Sequence, residues 1–264
     1  MSRSTFAIAG FILVAALLGI ALVTTAPVHA ETETVYQVST IDALLAGVYE
    51  GSHTIAEVRQ HGDLGLGTLD ALDGEMIVLD GVVYQVKDNG SVVVVPDTMT
   101  TPFVAVTWFE ADITREIARP VNLTGLQAQL DATFPSHNLF YAIRIDGFFS
   151  SVTARSVPAQ EKPYPPLVEV VRNQSVFEYT DMQGTIVGFW SPEFVEGINV
   201  PGYHFHVISD DRTKGGHLLG CEIEHGVVEI DTTPNFLLNL PLEGDFPALD
   251  LGGEHGDEVA QVER

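Results

Sequence analysis

Cysteine is almost absent from this chain of 264 residues, which contains only Cys221. A single cysteine excludes an intramolecular disulfide and any zinc site made of several thiolates. A nucleophilic thiol needs an activating base beside it, so we expect Cys221 to be a small buried apolar side chain.

Positive charge is also scarce, with 12 lysine and arginine residues against 36 acidic ones and a formal net charge of −24. Such a chain cannot neutralise a phosphate backbone, which argues against nucleic acid as a partner. The simplest role of so acidic a surface is to keep the protein soluble. Apolar residues make up 45% of the chain, which is typical of a globular protein.

Long apolar runs are missing beyond the amino-terminal thirty residues. Arg3 precedes an apolar stretch at residues 6–23, and small residues then lead to Ala30 and Glu31. This order predicts an export signal over residues 1–30 that is cleaved after Ala30. An uncleaved anchor through the same apolar stretch is the alternative, although the run is short for a membrane span. We therefore expect an exported or membrane-anchored protein.

Strand-forming runs separated by turn residues dominate the rest of the sequence. Asp80-Gly81 and Asn89-Gly90 lie between β-branched runs and are strong hairpin signals. They predict a meander of three antiparallel strands. Strands are predicted over these ranges: 76–79, 82–86, 92–95, 103–109, 139–146, 150–157, 168–171, 175–179, 184–190, 203–208, 218–228 and 235–240.

Helical patterns are few and short. Ser39 or Thr40 would cap the first helix, and Thr54 and Glu57 have the spacing of a capping box for another, which Gly62 would end. Helices are also predicted over two ranges: 41–46 and 122–134. The proline-rich residues 162–166 predict a boundary between two halves. The halves are a β-rich part with helices at 31–161 and a β part with a carboxyl-terminal tail at 162–264.

Two histidines stand two residues apart in the most informative stretch of the sequence. Successive side chains of a strand point to opposite faces, so His204 and His206 share one face. A polar turn centred just after Arg212 leads to His217, which opens the next apolar run. In that register His217 lies opposite Ile208 and diagonal to His206, within its reach. Three imidazoles can thus converge from one hairpin, and imidazole is a favoured ligand of zinc and its neighbours.

Alternatives to a catalytic metal site remain open at this point. A non-catalytic module could hold zinc through the same hairpin. A cupin-like oxygenase also uses a His-x-His strand, but cupins place a glutamate soon after the pair and the third histidine much further along.

The other histidines have no second histidine at such a spacing and are expected on the surface or in loops: His53, His61, His137, His225 and His255.

Several blocks of the sequence resemble, in order, those of the acetolactate decarboxylase family. The similarity runs from about Val35 to Leu240 and is specific because it is distributed over many short motifs. The matching blocks are residues 54–57, 61–69, 72–76, 141–144, 153–158, 160–167 and 202–217. The resemblance implies an α/β (α+β) fold of two parts, built from mixed or antiparallel β-sheets with a few short helices. It also implies a metal site in the cleft between the parts.

The resemblance further implies which residues form that site. The metal, usually zinc, would be bound by His204, His206 and His217. Two glutamates would lie near it. One matches Glu75, and the other lies near the carboxyl end, where Glu263 is the match and Glu254 and Glu258 are rivals.

The implied activity is the decarboxylation of (S)-2-acetolactate to (R)-acetoin and carbon dioxide. A basic residue at the substrate is matched by Arg155, whose planar fork suits a carboxylate. Thr68 is expected to touch the substrate. Glu75 or Glu263 would ligate the metal or its water and supply a proton from one face. The partner is therefore a small molecule, and a homodimer is left open by the sequence.

Overall fold

The computed structural model of the chain describes residues 32–253 and 256–263. Within them the strands are β1 (Thr34–Val38), β2 (His53–Thr54), β3 (Leu64–Thr68), β4 (Glu75–Leu79), β5 (Val82–Val86), β6 (Val92–Val94), β7 (Thr100–Thr101), β8 (Val104–Thr107), β9 (Ile113–Ile117), β10 (Val121–Asn122), β11 (Phe140–Ser156), β12 (Ser175–Ser191), β13 (Gly202–Ser209), β14 (Gly215–Thr233) and β15 (Asn235–Asn239).

The helices are short, as the sequence predicts. They are α1 (Ile41–Leu45), α2 (Ile55–Val58), α3 (Leu123–Asp131), α4 (Leu167–Val170) and α5 (Gly256–Glu263). Turns of 3₁₀ helix lie at Asp70–Leu72, Val171–Asn173, Glu193–Val195 and Phe246–Ala248. None of the described helices is long and apolar enough to cross a membrane.

Two large sheets organise the molecule. The first has seven strands in the order β15-β1-β8-β3-β4-β5-β6, and all its pairs are antiparallel except β1 with β15. The second is built from the long strands β11, β12 and β14 together with β13, β9 and β10. Because β13 pairs with both β12 and β14, the ring β11-β12-β13-β14 closes on itself. The strands β2 and β7 form a small separate pair.

Apolar side chains fill the ring of the second sheet and the space between the sheets. Tyr141 and Phe149 are fully buried inside the second sheet. Ile77 and Val187 belong to a cluster that both sheets share. A further cluster joins the short helices α1, α4 and α5 to one another and includes Val259. The two sheets and these helices therefore pack against one another through these clusters.

Most predicted elements are confirmed, and their local causes are visible. Asp80 and Gly81 both have positive φ, which suits the two-residue turn between β4 and β5. Thr40, not its neighbour, caps α1 by accepting a hydrogen bond from the Ala43 amide. Both bonds of the capping box at Thr54 are present in α2. That helix ends before Gly62, which was predicted to end it.

Some predicted elements are wrong or joined. The predicted strand at 168–171 is helical instead, in α4 and the following 3₁₀ turn, because Leu167, Val170 and Val171 are buried among the other helices. The ranges 139–146 and 150–157 form the single strand β11, and 175–179 and 184–190 form β12. The last strand, β15, joins the first sheet through β1.

The sheets divide the chain at a different place from the predicted boundary at residues 161 and 162. Strands β9, β10 and β11 precede that boundary yet belong to the second sheet, whereas β15 follows it and belongs to the first.

The predicted leader, residues 1–30, lies outside the described residues and stays a prediction. Cys221 is buried, as expected, and burial raises the pKa of its thiol to about 12.

A buried carboxyl lies among acidic neighbours at the carboxyl end of β14. Asp231 is only 1% exposed, and its Oδ2 accepts a hydrogen bond from the Glu110 amide at 3.2 Å. Burial raises the pKa of Asp231 to about 7, and the nearby carboxylates of Glu33, Asp112 and Glu110 add to the rise. Ionisation of this group at neutral pH therefore opposes folding.

The variant Asp231→Asn should stabilise the protein in a pH-dependent way. The unfolded aspartate ionises near pH 4, so the cost of ionising the native group grows between about pH 4 and pH 7. We expect the variant to raise the thermal unfolding midpoint by about 2–4 °C at pH 8 and by less at pH 5, measured by scanning calorimetry. An equal shift at both pH values, or a loss at pH 8, would contradict the burial argument.

Candidate active site

The histidine hairpin is confirmed, but its predicted register is wrong by two residues. His217 pairs directly with His206, and Ile208 pairs with Gly215. The turn is centred one residue earlier than predicted, just after Asp211, and the Ser209 amide closes it by donating to the Lys214 carbonyl oxygen at 2.9 Å. Direct pairing brings the imidazoles of the two strands closer than the predicted diagonal would.

Glycine is needed where the hairpin meets β11. Gly216 has a φ of 141°, and a Cβ there would overlap the carbonyl oxygen of Arg155. Arg155 in turn pairs with His217 across β11 and β14. The close approach of these two backbones therefore places the Arg155 side chain beside the histidines.

The three predicted histidines form a buried triangle. His204, His206 and His217 are 7%, 1% and 2% exposed. Their ring centroids are 5.2, 5.1 and 5.3 Å apart. One nitrogen from each ring lies within 4.8 Å of the others, so the three can hold one metal ion.

A backbone carbonyl orients one of these rings. Nδ1 of His206 lies 2.8 Å from the carbonyl oxygen of Met76 on β4 of the first sheet. A carbonyl oxygen only accepts, so Nδ1 carries the proton and donates it. The other nitrogen, Nε2, is then an unprotonated donor of electrons, as metal binding requires.

Two glutamates and one arginine surround the triangle. Glu75, the first residue of β4, has Oε1 3.3 Å from Nη1 of Arg155 and Oε2 3.5 Å from Nε2 of His206. Glu263, the last residue of α5, has Oε2 3.2 Å from Nε2 of His204 and 3.8 Å from Nδ1 of His217. The two carboxyl groups are thus next to different histidines.

The carboxyl-terminal helix is held on the site by the same arginine. Nη2 of Arg155 donates to the Val262 carbonyl oxygen at 2.9 Å. Val259 and Val262 are the buried side chains of α5 and contact the cluster of short helices. These contacts position Glu263, at the end of α5, beside the histidines.

Burial sets the protonation of the whole cluster. It lowers the pKa of His204 to about 3, with a further contribution from the Arg155 charge, and it lowers the pKa of His206 and His217 well below the usual value. The imidazoles are therefore neutral at physiological pH. Burial also raises the pKa of Glu75 and of Glu263 to about 7 each, against the opposing charge of Arg155.

The donor set fits a divalent transition metal. Nε2 of His206 and Oε2 of Glu263 are buried atoms of the cluster that have no hydrogen-bond partner. A buried polar atom without a partner is costly, and a metal ion would satisfy both. Neutral imidazoles with carboxylates suit zinc, manganese, cobalt, nickel or iron.

Apart from Thr68, the walls of the site were not predicted from the sequence. The cavity has a volume of about 30 Å³. Besides the cluster it is lined by Gly67, Thr68 and six apolar side chains: Ile41, Leu44, Leu72, Phe103, Val157 and Leu167. These six have the pattern of ordinary core residues, so nothing in the sequence marks them as part of the site. The Thr68 hydroxyl donates to the Gly74 carbonyl oxygen at 2.7 Å, which positions the turn before Glu75.

The remaining candidates lie elsewhere. Glu258, one rival for the second carboxylate, is exposed on α5, while Glu254 and His255 lie outside the described residues. His61 stacks on the ring of Tyr36, with ring centroids 3.8 Å apart. His53, His137 and His225 are outside the cavity lining.

Known proteins resemble the chain over most of its length. The family model for alpha-acetolactate decarboxylase matches residues 35–253. The chain belongs to the alpha-acetolactate decarboxylase family. The enzyme of that name from Methanosarcina mazei is 50% identical over 233 residues, which are 88% of this chain and 81% of the relative. The one from Methylococcus capsulatus is 44% identical over 237 residues, 90% of this chain and 91% of the relative.

A crystal structure from the same family has the same fold. Alpha-acetolactate decarboxylase from Bacillus subtilis has a TM-score of 0.85 and 39% identity to this chain, covering 87% of this chain and 99% of the other. The predicted α/β fold of mixed and antiparallel sheets with few helices is confirmed. Membership of the family makes the chain a lyase of the decarboxylase class.

Metal binding should depend on the histidine triangle. We expect protein treated with a chelator and then dialysed to bind about one zinc ion per chain, and His206→Ala to weaken binding by at least about 100-fold, since a lost ligand costs more than a lost supporting contact. Isothermal titration calorimetry with zinc chloride measures both. His225→Ala, an exposed histidine of the same strand as His217, is the control. Equal affinity for the two variants would exclude this site.

Proposed function

We propose that the protein catalyses the metal-dependent decarboxylation of (S)-2-acetolactate to (R)-acetoin and carbon dioxide. The proposal is supported above all by one observation: three neutral buried imidazoles converge beside a buried arginine and two carboxyl groups of raised pKa. We expect zinc as the metal, held by His204, His206 and His217 with Glu75 and Glu263 beside it.

The reaction needs a place for an electron pair. Acetolactate is a β-keto acid, so when the bond to its carboxylate breaks, carbon dioxide leaves and two electrons move towards the ketone oxygen. A divalent ion, when bound, supplies Lewis-acid stabilisation of the charge that develops on that oxygen. The neutral state of the three histidines at physiological pH keeps their nitrogens available for the ion.

Arg155 is suited to hold the anionic substrate. Its Nη2 donates to Val262 and its Nη1 faces Glu75, but Nε is buried without a hydrogen-bond partner. A carboxylate beside Nε would satisfy that donor with a charge-assisted bond. Arg155 would thereby orient the bond that breaks and would release carbon dioxide on one side of the cavity.

Glu75 and Glu263 are suited to handle the proton. With pKa values of about 7, either carboxyl can carry a proton at neutral pH and give it to the carbon that loses carbon dioxide. The two lie at different histidines, so donation from one of them reaches a single face of that carbon. Controlled protonation of this kind would make the acetoin chiral.

The apolar walls favour a small substrate. Leu72, Phe103 and Leu167 line the cavity and can contact the methyl groups of acetolactate. Larger 2-hydroxy-3-keto acids would clash with these side chains.

Decarboxylation is tested directly by incubating the zinc-loaded protein with racemic acetolactate and measuring acetoin by chiral gas chromatography. We expect one enantiomer of acetoin, and loss of the activity with a chelator. Arg155→Ala should lower kcat/KM by about 1000-fold, as for other lost charge-stabilising donors, without loss of zinc.

Arg144→Ala is the matched control, because Arg144 lies in the same strand and pairs with Asp80 and Asp146 outside the cavity. We expect it to retain activity within about threefold, since exposed ion pairs contribute little. If zinc binds but no acetoin forms, the protein is a zinc-binding module without this activity. Racemic acetoin would contradict controlled protonation.

Export stays part of the proposal. The apolar run at residues 6–23 and the small residues before Glu31 support cleavage after Ala30 by a signal peptidase. Amino-terminal sequencing of protein from a host that secretes it should give Glu31 as the first residue. A chain that starts at Met1 and remains with the membrane would favour the anchor.

A further inference from the structure

Glu75 and Arg155 face each other from different sheets. Glu75 lies on β4 of the first sheet and Arg155 on β11 of the second, and within the described chain neither β4 nor its neighbour β5 pairs with β11. The 3.3 Å between the two side chains therefore depends on contacts between the sheets. Misplacement by about 1 Å at such a site can cost 100-fold in rate.

A buried hydrogen bond between the sheets lies beside this pair. Ser156, the residue after Arg155, has no exposed surface, and its hydroxyl donates to the carbonyl oxygen of Val86 at 2.7 Å. Val86 is the residue opposite Glu75 in the pairing of β4 with β5. The same carbonyl oxygen lies against Gly74, where a Cβ would overlap it. One bond thus joins the neighbours of both site residues.

The geometry points to Ser156 as a positioning residue that sets the distance between Arg155 and Glu75 through Val86. The inference rests on the proposed function, in which Glu75 lies beside the metal and Arg155 beside the substrate. Ser156 is not among the residues that line the cavity, so it acts through those two side chains. Gly215 of β14 also lies against Val86, because a Cβ at residue 215 would touch the Val86 side chain. Val86 is therefore held by the second sheet from two strands.

A buried hydroxyl can also serve stability alone, and Thr185 provides the comparison. Thr185 is 2% exposed, lies on β12 of the second sheet, and donates to Oδ1 of Asp146 at 2.6 Å. Its bond stays within the second sheet and away from the cavity lining. Thr185→Val therefore removes the hydrogen bond of another buried hydroxyl without touching the neighbours of Glu75 or Arg155.

The test compares Ser156→Ala, Ser156→Thr and Thr185→Val. Zinc affinity is measured by calorimetry, and kcat and KM by acetoin formation from acetolactate. We expect Ser156→Ala to lose about 10- to 100-fold in zinc affinity and in kcat, as residues that orient ligands do. Ser156→Thr keeps the hydroxyl and should restore both within about threefold, and Thr185→Val should leave both within about twofold.

Three results would overturn the inference: Ser156→Ala within about twofold of the unaltered protein, Ser156→Thr as impaired as Ser156→Ala, or an equal loss in Thr185→Val. If Ser156→Ala does not fold, Ser156→Cys carries the same expectation, because its thiol keeps the volume but donates weakly.

A measurement without substrate separates this inference from the proposed function. In metal-free protein, the changes in unfolding midpoint caused by Ser156→Ala and Glu75→Gln should not add, because Ser156→Ala already disturbs the contact between Glu75 and Arg155 that Glu75→Gln alters. The changes caused by Thr185→Val and Glu75→Gln should add. Lack of decarboxylation in the unaltered protein would reject the proposed function, whereas additive changes with Ser156→Ala would reject the positioning role.

Discussion

The buried ion pair between Arg155 and Glu75 is the constraint on which the rest of the site depends. The two side chains come from different sheets and are 5% and 8% exposed. Two charges removed from water to this extent are tolerated only when each has a partner, and the loss of one strands the other. The sheets must therefore meet where the pair forms, which is also where the histidines converge.

The site combines groups of different charge so that each can act. Arg155 is the single cation of the cluster, and it contacts Glu75 by one nitrogen and the backbone of α5 by another. Burial keeps the histidines neutral and lets the two carboxyl groups exchange protons near pH 7. If every donor of Arg155 were paired within the protein, none would be left to bind an anionic substrate. Here one donor of Arg155, Nε, is left without a partner.

Local sequence patterns predicted which residues form the site better than they predicted how the strands and helices bring those residues together. The two-residue period of a strand was enough to place His204 and His206 on one face. The register of His217 was missed because the hydrogen bonds of Ser209 centre the turn one residue earlier, and sequence spacing does not reveal those bonds. The helix that carries Glu263 has no strong pattern of its own, and it forms where buried contacts with other helices hold it. The apolar walls are likewise a product of the fold, since five separate segments contribute the six side chains.

The central claim is that three imidazoles from one hairpin, beside the pair of Arg155 and Glu75, bind a single ion. Anomalous X-ray diffraction at the zinc edge, from crystals of the zinc-loaded protein, tests it most directly. One peak should lie about 2.0–2.1 Å from a nitrogen each of His204, His206 and His217, the usual length of a zinc–imidazole bond. Zinc bound only elsewhere, with the three rings hydrogen-bonded to protein or water, would contradict it.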